Sequence, residues 1–306
     1  MTMPDITTHI LFGREVGAKL SASLQQMIRQ HPAAFYFGTQ GPDLFFFRKA
    51  LPHTNPIHRY GSIIHKHRVP QTLAFCQKIM RDPAAPDALK AYLIGFYCHY
   101  FLDSTLHPYV YFLTGRICER APDHPSAVHA KIEAELDSVF CAHFLHIPVS
   151  QFPVTRYFRI PEEDKNAISL WYQTLLKEVF RIPAGLKNIR HCFGDFSQLS
   201  AAFYAHPYIL SGLGALLSKL YQPAQIIAAH IKSPQVTRDT ANLKHRPWHH
   251  PDDHKLVSRQ SAFDLFDEAE RSAVLALKAV FQPEKTLAAL PFPVTRNFSG
   301  NILDKK

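Results

Sequence analysis

Hydrophobic residues recur at the spacing of an amphipathic helix along most of the chain. In residues 7–29, the positions that share one helical stripe are Ile10, Leu11, Val16, Leu20, Leu24 and Met27, after a candidate N-cap at Thr7 or Thr8. The same periodicity predicts helices at about 62–81, 86–107, 126–146, 164–181, 197–231 and 258–281. Proline disfavours helical backbone at the residue before it, so we expect the second of these to end before Pro108. The pattern predicts an all-α fold.

Three stretches interrupt this periodicity. In "FYFGTQGPDLFFF", residues 35–47, glycines and a proline favour a tight turn that carries Asp43 between aromatic anchors. Residues 51–62 are predicted to be irregular, and the proline-interrupted residues 147–160 are predicted to be extended. The last of these is the candidate boundary between two helical lobes.

Composition narrows the class of protein. Of 306 residues, 46% are hydrophobic, 19% are charged and 12 are glycine, which fits a helical globular chain better than a disordered or turn-rich β protein. The five cysteines show no CxxC spacing and are expected to be buried free thiols. The start of the chain shows no secretion signal, and the apolar residues 208–217 are too few to span a bilayer, so we expect a cytoplasmic protein.

The formal net charge of +9 favours an anionic partner, such as a phosphate ester, a phospholipid head group or a nucleic acid. Apart from a small concentration at residues 65–68, the basic residues are scattered. Because no lysine- or arginine-rich arm is present, nucleic acid is not the expected primary partner.

Polar residues with metal-ligand chemistry lie inside the most apolar helical stretch, "GFYCHYFLDSTLHPYV". His99, Asp103 and His107 are each four residues apart, and so they share one face of a helix. A buried carboxylate needs compensation, and imidazole with carboxylate is a typical zinc ligand set. The next predicted helix also carries an imidazole and a carboxylate four residues apart, His129 and Glu133. We therefore predict a metal site between these two helices.

Further ligands are expected from turns and helix starts. Asp43 is either a ligand or general base, or a plain turn aspartate, and His65 competes with His53, His58 and His67 for a place at the site. Other chemistries lack their motifs, since the sequence contains no HExxH helix, GxSxG elbow, Walker loop or GxGxxG.

The ordered set "HILFG", "GPDLFFF", "GSIIH", "CHYFLDSTLHPY" and "HAKIE" resembles the zinc-dependent phospholipase C family, which shares its style of site with the P1-type nucleases. The resemblance covers about residues 4–146, and "RPWHHPDD" with "SAFDLFDEA" looks like the C-terminal part of uncharacterised bacterial members. It implies a multi-helix phospholipase C/P1 nuclease-like catalytic domain at residues 1–150. A helical C-terminal region, residues 151–306, is expected to pack on it.

The resemblance also implies ligand sets for two or three zinc ions. Asp43, His65, His99 and Asp103 match the first zinc site. In that set Asp103 would bridge to another ion, and Asp43 is the candidate catalytic base. His107, His129 and Glu133 match the second site, where His124 is the alternative to His107. His9 matches the third site, for which the family adds an N-terminal tryptophan that has no counterpart here.

The expected activity is hydrolysis of a phospholipid or another phosphodiester by a metal-activated water, as in phospholipase C. Peripheral contact with an anionic membrane would accompany a lipid substrate. Two alternatives stay open at this point. The chain could be a soluble phosphodiesterase or nuclease, or a zinc-binding scaffold without turnover.

Overall fold

The computed structural model describes residues 6–48, 55–120, 124–205, 236, 238–281, 290 and 292–303. The α-helices in these ranges are α1 Ile6–Ala18, α2 Ala22–Gln30, α3 Pro32–Thr39, α4 His58–Lys66, α5 Val69–Arg81, α6 Asp87–Cys118, α7 Pro125–Leu145, α8 Glu162–Glu178, α9 Leu186–Ala205 and α10 Ala262–Val280. Short 3-10 helices lie at Gly41–Phe45, Val149–Gln151 and Val154–Arg156. One antiparallel hairpin, β1 Trp248–His250 and β2 Asp253–Ser258, is the remaining regular element. The prediction of an all-α fold is confirmed.

Helix α6 is the centre of the packing. Every residue from 88 to 110 is buried, because α3, α7, α10, α1 and α8 all pack around this helix. A helix that is apolar all round belongs inside a large core, and its polar residues then need partners there. The three polar side chains on its stripe therefore face the interior.

The predicted end of this helix before Pro108 is wrong, since α6 continues to Cys118. The proline ring lies against Gly300, where an added Cβ would be 2.4 Å from Pro108 Cδ. The intrinsic preference of a residue for or against a helix is weak compared with tertiary packing, and Pro108 is buried by its neighbours. The continuation keeps His107 in helical register with Asp103.

Other boundaries also shifted. Residues 7–29 form two helices, because Ser21 caps a new helix by accepting a hydrogen bond from Leu24 N. Residues 62–81 likewise split into α4 and α5 at Arg68, whose φ is 51°. Helix α4 begins at His58, within a stretch predicted to be irregular, and α9 begins at Leu186, earlier than predicted. The rest of the predicted helix at 197–231 lies outside the described residues.

Helices α3 and α6 approach so closely that glycine is required on both sides. An added Cβ would lie 2.0 Å from Tyr92 O at Gly38, and 2.2 Å from Phe35 O at Gly95. This contact brings the end of α3 and the turn that follows it onto α6, one helical turn before His99.

All five cysteines lie among the described residues and none of them is in a disulfide there, and all but the half-buried Cys118 are buried. Within the ranges that the structure describes, none of the helices combines the length and apolar content of a bilayer-spanning segment. The apolar residues 208–217 lie outside those ranges.

Candidate metal centre

Two groups of buried ligand-type side chains lie beside one another on α6. The first group is Asp43, His65, His99 and Asp103, and the second group is His107, His129 and Glu133. Within each group, one potential ligand atom per residue lies within 4.8 Å of all the others. The first group combines the turn after α3, the end of α4 and one face of α6, whereas the second joins α6 to α7.

The spacing within the first group fits a bound cation. His65 Nε2 lies 3.1 Å from Asp43 Oδ1, and His99 Nε2 lies 3.2 Å from both Asp43 Oδ2 and Asp103 Oδ2. The two Nε2 atoms are 3.4 Å apart. Ligands held at about 2.0–2.1 Å from a tetrahedral zinc ion are separated by roughly 3.3 Å. These side chains are therefore already spaced as the ligands of one ion.

Backbone carbonyls fix which nitrogen of each histidine faces the group. His65 Nδ1 donates to Gly61 O at 2.8 Å, and His99 Nδ1 donates to Thr39 O at 3.2 Å. When each ring is neutral, with its proton on Nδ1, each Nε2 presents a lone pair to the other and to the carboxylates. Such facing lone pairs repel one another unless a cation lies between them, as in metal sites whose histidines are oriented by outer hydrogen bonds.

The second group has the same design. His107 Nε2 lies 3.2 Å from Glu133 Oε1, and His129 Nε2 lies 3.0 Å from the same oxygen. His107 Nδ1 donates to Phe298 O at 2.8 Å. The alternative residue, His124, instead caps α7 by accepting a hydrogen bond from Ser126 N at 3.3 Å. The geometry thus favours His107 over His124 as the third side chain of this group.

Asp103 connects the two groups. Its Oδ1 lies 3.2 Å from His9 Nε2, and its Oδ2 lies 3.8 Å from His107 Nδ1 as well as 3.2 Å from His99 Nε2. A small cavity of about 20 Å³ lies between His9, Asp103 and the second group. One carboxylate therefore touches histidines of both groups and the histidine predicted for a third ion.

Several buried polar atoms of the site make no hydrogen bond among the described residues. They are His9 Nδ1, Asp43 Oδ2, Asp103 Oδ2, His129 Nδ1 and Glu133 Oε2. Buried polar groups are nearly always hydrogen-bonded, and a cluster of exceptions indicates a missing partner. Imidazole and carboxylate donors together suit zinc, so the residues present fit the ion that the sequence predicts.

The charges are arranged to attract cations. Burial alone would raise the pKa of Asp103 and Glu133, but neighbouring histidines outweigh it, holding Asp103 well below its usual range and Glu133 at about 2. Burial raises the pKa of Asp43 to about 6 against the influence of His65, and lowers that of His99 well below its usual value. Asp103 and Glu133 are therefore ionised at neutral pH, and His99 is neutral, the forms that metal binding requires.

A pocket of about 220 Å³ opens onto both groups. Its lining includes the ligand-type residues Asp43, His65, Asp103, His107 and Glu133, here called the floor. The other lining residues, here called the rim, are Phe46, Ser62, Lys66, Tyr111, Ser126 and Ser299. The pocket gives a small anionic group access to the predicted ligands, and Lys66 adds a positive charge at the rim.

The remaining candidates lie elsewhere. His58 Nε2 contacts Arg48 O at 2.8 Å, His67 is exposed, and His53 lies outside the described residues. The rim residues and the carbonyl of Phe298 were not predicted. Rim serines and a tyrosine carry no spacing signal, and a backbone carbonyl is present in every residue, so nothing in the sequence distinguished them.

Comparison with known proteins identifies the family. A sequence model of the family described as zinc dependent phospholipase C matches residues 8–182, a range that contains all eight predicted site residues. No curated protein and no solved structure matches the chain. The matched range covers more than half of the sequence, and the buried histidine and carboxylate groups lie within it. The chain belongs to the zinc-dependent phospholipase C family.

Proposed function

We propose that this protein is a zinc-dependent phosphodiester hydrolase of the phospholipase C type. The observation that supports it best is the position of Asp103, whose Oδ2 contacts His99 of the first ligand group and whose Oδ1 contacts His9. A single carboxylate shared in this way is the arrangement expected of a cluster of ions that act on one phosphate.

The ligand sets divide between two ions and a candidate third. Asp43, His65, His99 and Asp103 would hold the first, and His107, His129 and Glu133 the second. His9 and Asp103 would contribute to a third. When bound, zinc lowers the pKa of a water molecule towards 7 and offsets the charge that builds on the phosphate oxygens.

Two residues have further roles in this proposal. Asp43 lines the pocket, and burial raises the pKa of its carboxyl to about 6, so it can accept a proton from an attacking water near neutral pH. Lys66 on the rim attracts the anionic phosphate. The water oxygen would attack phosphorus and give a proton to Asp43, the bond from phosphorus to the glycerol oxygen would break, and that oxygen would take up the proton from Asp43, giving a diacylglycerol and a phosphorylated head group.

A phospholipid is the proposed substrate, by analogy with the family. The pocket holds about 220 Å³, which suits a phosphate and part of a head group, so the acyl chains would stay outside. The net charge of +9 favours peripheral contact with an anionic membrane that presents such a lipid.

The test is hydrolysis by protein stripped of metal and reloaded with zinc. Short-chain phosphatidylcholine, a phosphoinositide, a chromogenic phosphodiester and single-stranded DNA would be compared, with released head group measured directly. We expect zinc-dependent release from the lipid and loss of turnover in Asp43→Asn. Preferential cleavage of the soluble diester or DNA would redirect the substrate, and two bound zinc ions without turnover on any diester would indicate a scaffold.

A further inference from the structure

The described C-terminal segment, residues 292–303, returns to the candidate metal centre from outside the family match, which ends at residue 182. It lies against α6 and the end of α4. Ser299 from this segment forms part of the pocket rim. A part of the chain that is distant in sequence therefore contributes to the site.

Phe298 is the point of contact, and it joins both ligand groups. Its backbone N donates to His65 O at 3.1 Å, and its carbonyl accepts from His107 Nδ1 at 2.8 Å. Its fully buried ring packs on His65 and His99, with ring centroids 5.3 and 5.7 Å apart. One residue thus sets the surroundings of three predicted ligands.

A hydrogen-bonded turn holds Phe298 in this position. Asn297 and Asn301 bond to each other through backbone and side chain, and Gly300 closes the turn with a φ of 75°. Asp252 anchors the turn by accepting hydrogen bonds from Asn301 Nδ2 at 3.0 Å and Ile302 N at 2.8 Å. The carbonyl that meets His107 is therefore rigidly placed.

We propose that the C-terminal segment is a positioning element of the second ligand group. It fixes the proton of His107 on Nδ1 and turns Nε2 towards Glu133, and so it sets the affinity of that group for zinc. This inference rests on the proposed function, in which the group holds an ion. Loss of such an outer partner typically weakens metal binding by about 10- to 100-fold.

Two variants would disturb the turn without touching a ligand. Gly300→Ala places a Cβ 2.4 Å from Pro108 Cδ at a positive φ, and Asp252→Ala removes both anchoring acceptors. The matched controls are Gly115→Ala, where an added Cβ meets nothing within 4 Å, and Asp253→Ala beside the anchor. If Gly300→Ala fails to fold, Asp252→Ala carries the test.

The measurement is competition of each variant with a chromogenic chelator for zinc, together with the absorption spectrum of the cobalt-loaded protein. We expect the ion of the second group to bind about 10- to 100-fold more weakly and its cobalt bands to shift, with a smaller change for the ion of the first group and none in the controls. Unchanged affinities, or equal weakening of both ions with a lowered Tm, would overturn the inference. Wild-type protein that binds no zinc would instead refute the proposed function.

Discussion

Asp103 on α6 and Asp137 on α7 are both buried carboxylates, yet their surroundings are opposite in kind. Asp137 accepts hydrogen bonds from Thr7 N, Thr8 N and Thr8 Oγ1 at 2.6–2.9 Å, and from Tyr204 at 3.1 Å. Asp103 meets imidazole nitrogens, and its Oδ2 makes no hydrogen bond among the described residues. Burial is the same, but the partners differ.

The two residues even share a sequence pattern. Asp137 follows His129 and Glu133 at steps of four, just as Asp103 and His107 follow His99. On α7, however, Asp137 bonds to the first turn of α1. The backbone N–H groups of a first turn have no acceptor within their own helix, and Asp137 supplies one. Regular spacing therefore identifies a helix face, whereas the partner atoms decide whether a carboxylate binds a cation or serves packing.

The largest expected effect follows loss of the shared carboxylate. Asp103→Ala should remove more than one zinc ion, and it should cut hydrolysis by more than the 10- to 100-fold typical of an outer partner. Without metal, the same change leaves His9 and His99 without the carboxylate that they contact, so the free energy of unfolding should also fall. Elemental analysis and unfolding of the metal-free protein measure the two effects. Unchanged zinc content would refute a bridging role.

Asp137→Ala should lower stability while the zinc content is kept. It leaves buried donors on Thr7 and Thr8 without an acceptor, which we expect to lower the free energy of unfolding by about 3 kcal/mol, with or without metal. The first ligand group should still retain its zinc. Chemical denaturation alongside zinc analysis tests this, with Asp137→Asn as the milder control. An Asp137→Ala protein that loses zinc but keeps its stability would show that Asp137 serves metal binding and not packing.

His107 and His124 offer a smaller contrast at the second group. His107→Ala should lose one ion, since its Nε2 faces Glu133, whereas His124→Ala should keep full zinc content and lose at most about 1 kcal/mol from a helix cap. Zinc per chain and thermal unfolding distinguish the two variants. Loss of zinc only in His124→Ala would show that the second site is completed from α7 instead.

The smallest expected effect comes from removing a single one of the hydrogen bonds that Asp137 accepts. Thr8→Val keeps the shape and removes the hydroxyl that donates at 2.7 Å, so stability should fall by about 1.5 kcal/mol. Thr174→Val, at an exposed hydroxyl that donates to Leu170 O in its own helix, is the matched control. If both variants lose the same free energy of unfolding, the hydrogen bond from Thr8 to the buried carboxylate stabilises the fold no more than an exposed one does.

Residue spacing along the chain correctly predicted the features that depend only on the geometry of a single helix. The stripe of His99, Asp103 and His107 follows from steps of four on one helix, and the structure brings His107, at one end of this stripe, to His129 and Glu133. The all-α fold followed from periodicity in the same way. The ligand roles themselves, the ion count and the division at residue 150 stay predictions.

Other features depend on contacts between distant parts of the chain. The passage of α6 through Pro108 depends on burial, and the selection of His65 over its neighbours depends on how α4 meets the turn at Asp43. The carbonyl of Phe298 reaches His107 across 191 residues. Sequence spacing contains no record of such contacts, so these features emerged only from the folded arrangement.

The most direct measurement is a crystal structure of zinc-loaded protein with anomalous scattering recorded at the zinc absorption edge. We predict one peak within about 2.0–2.2 Å of ligand atoms from Asp43, His65, His99 and Asp103, and a second at His107, His129 and Glu133. Fully loaded crystals without peaks at these groups, or with zinc bound only to surface histidines, would contradict a zinc centre built on Asp103.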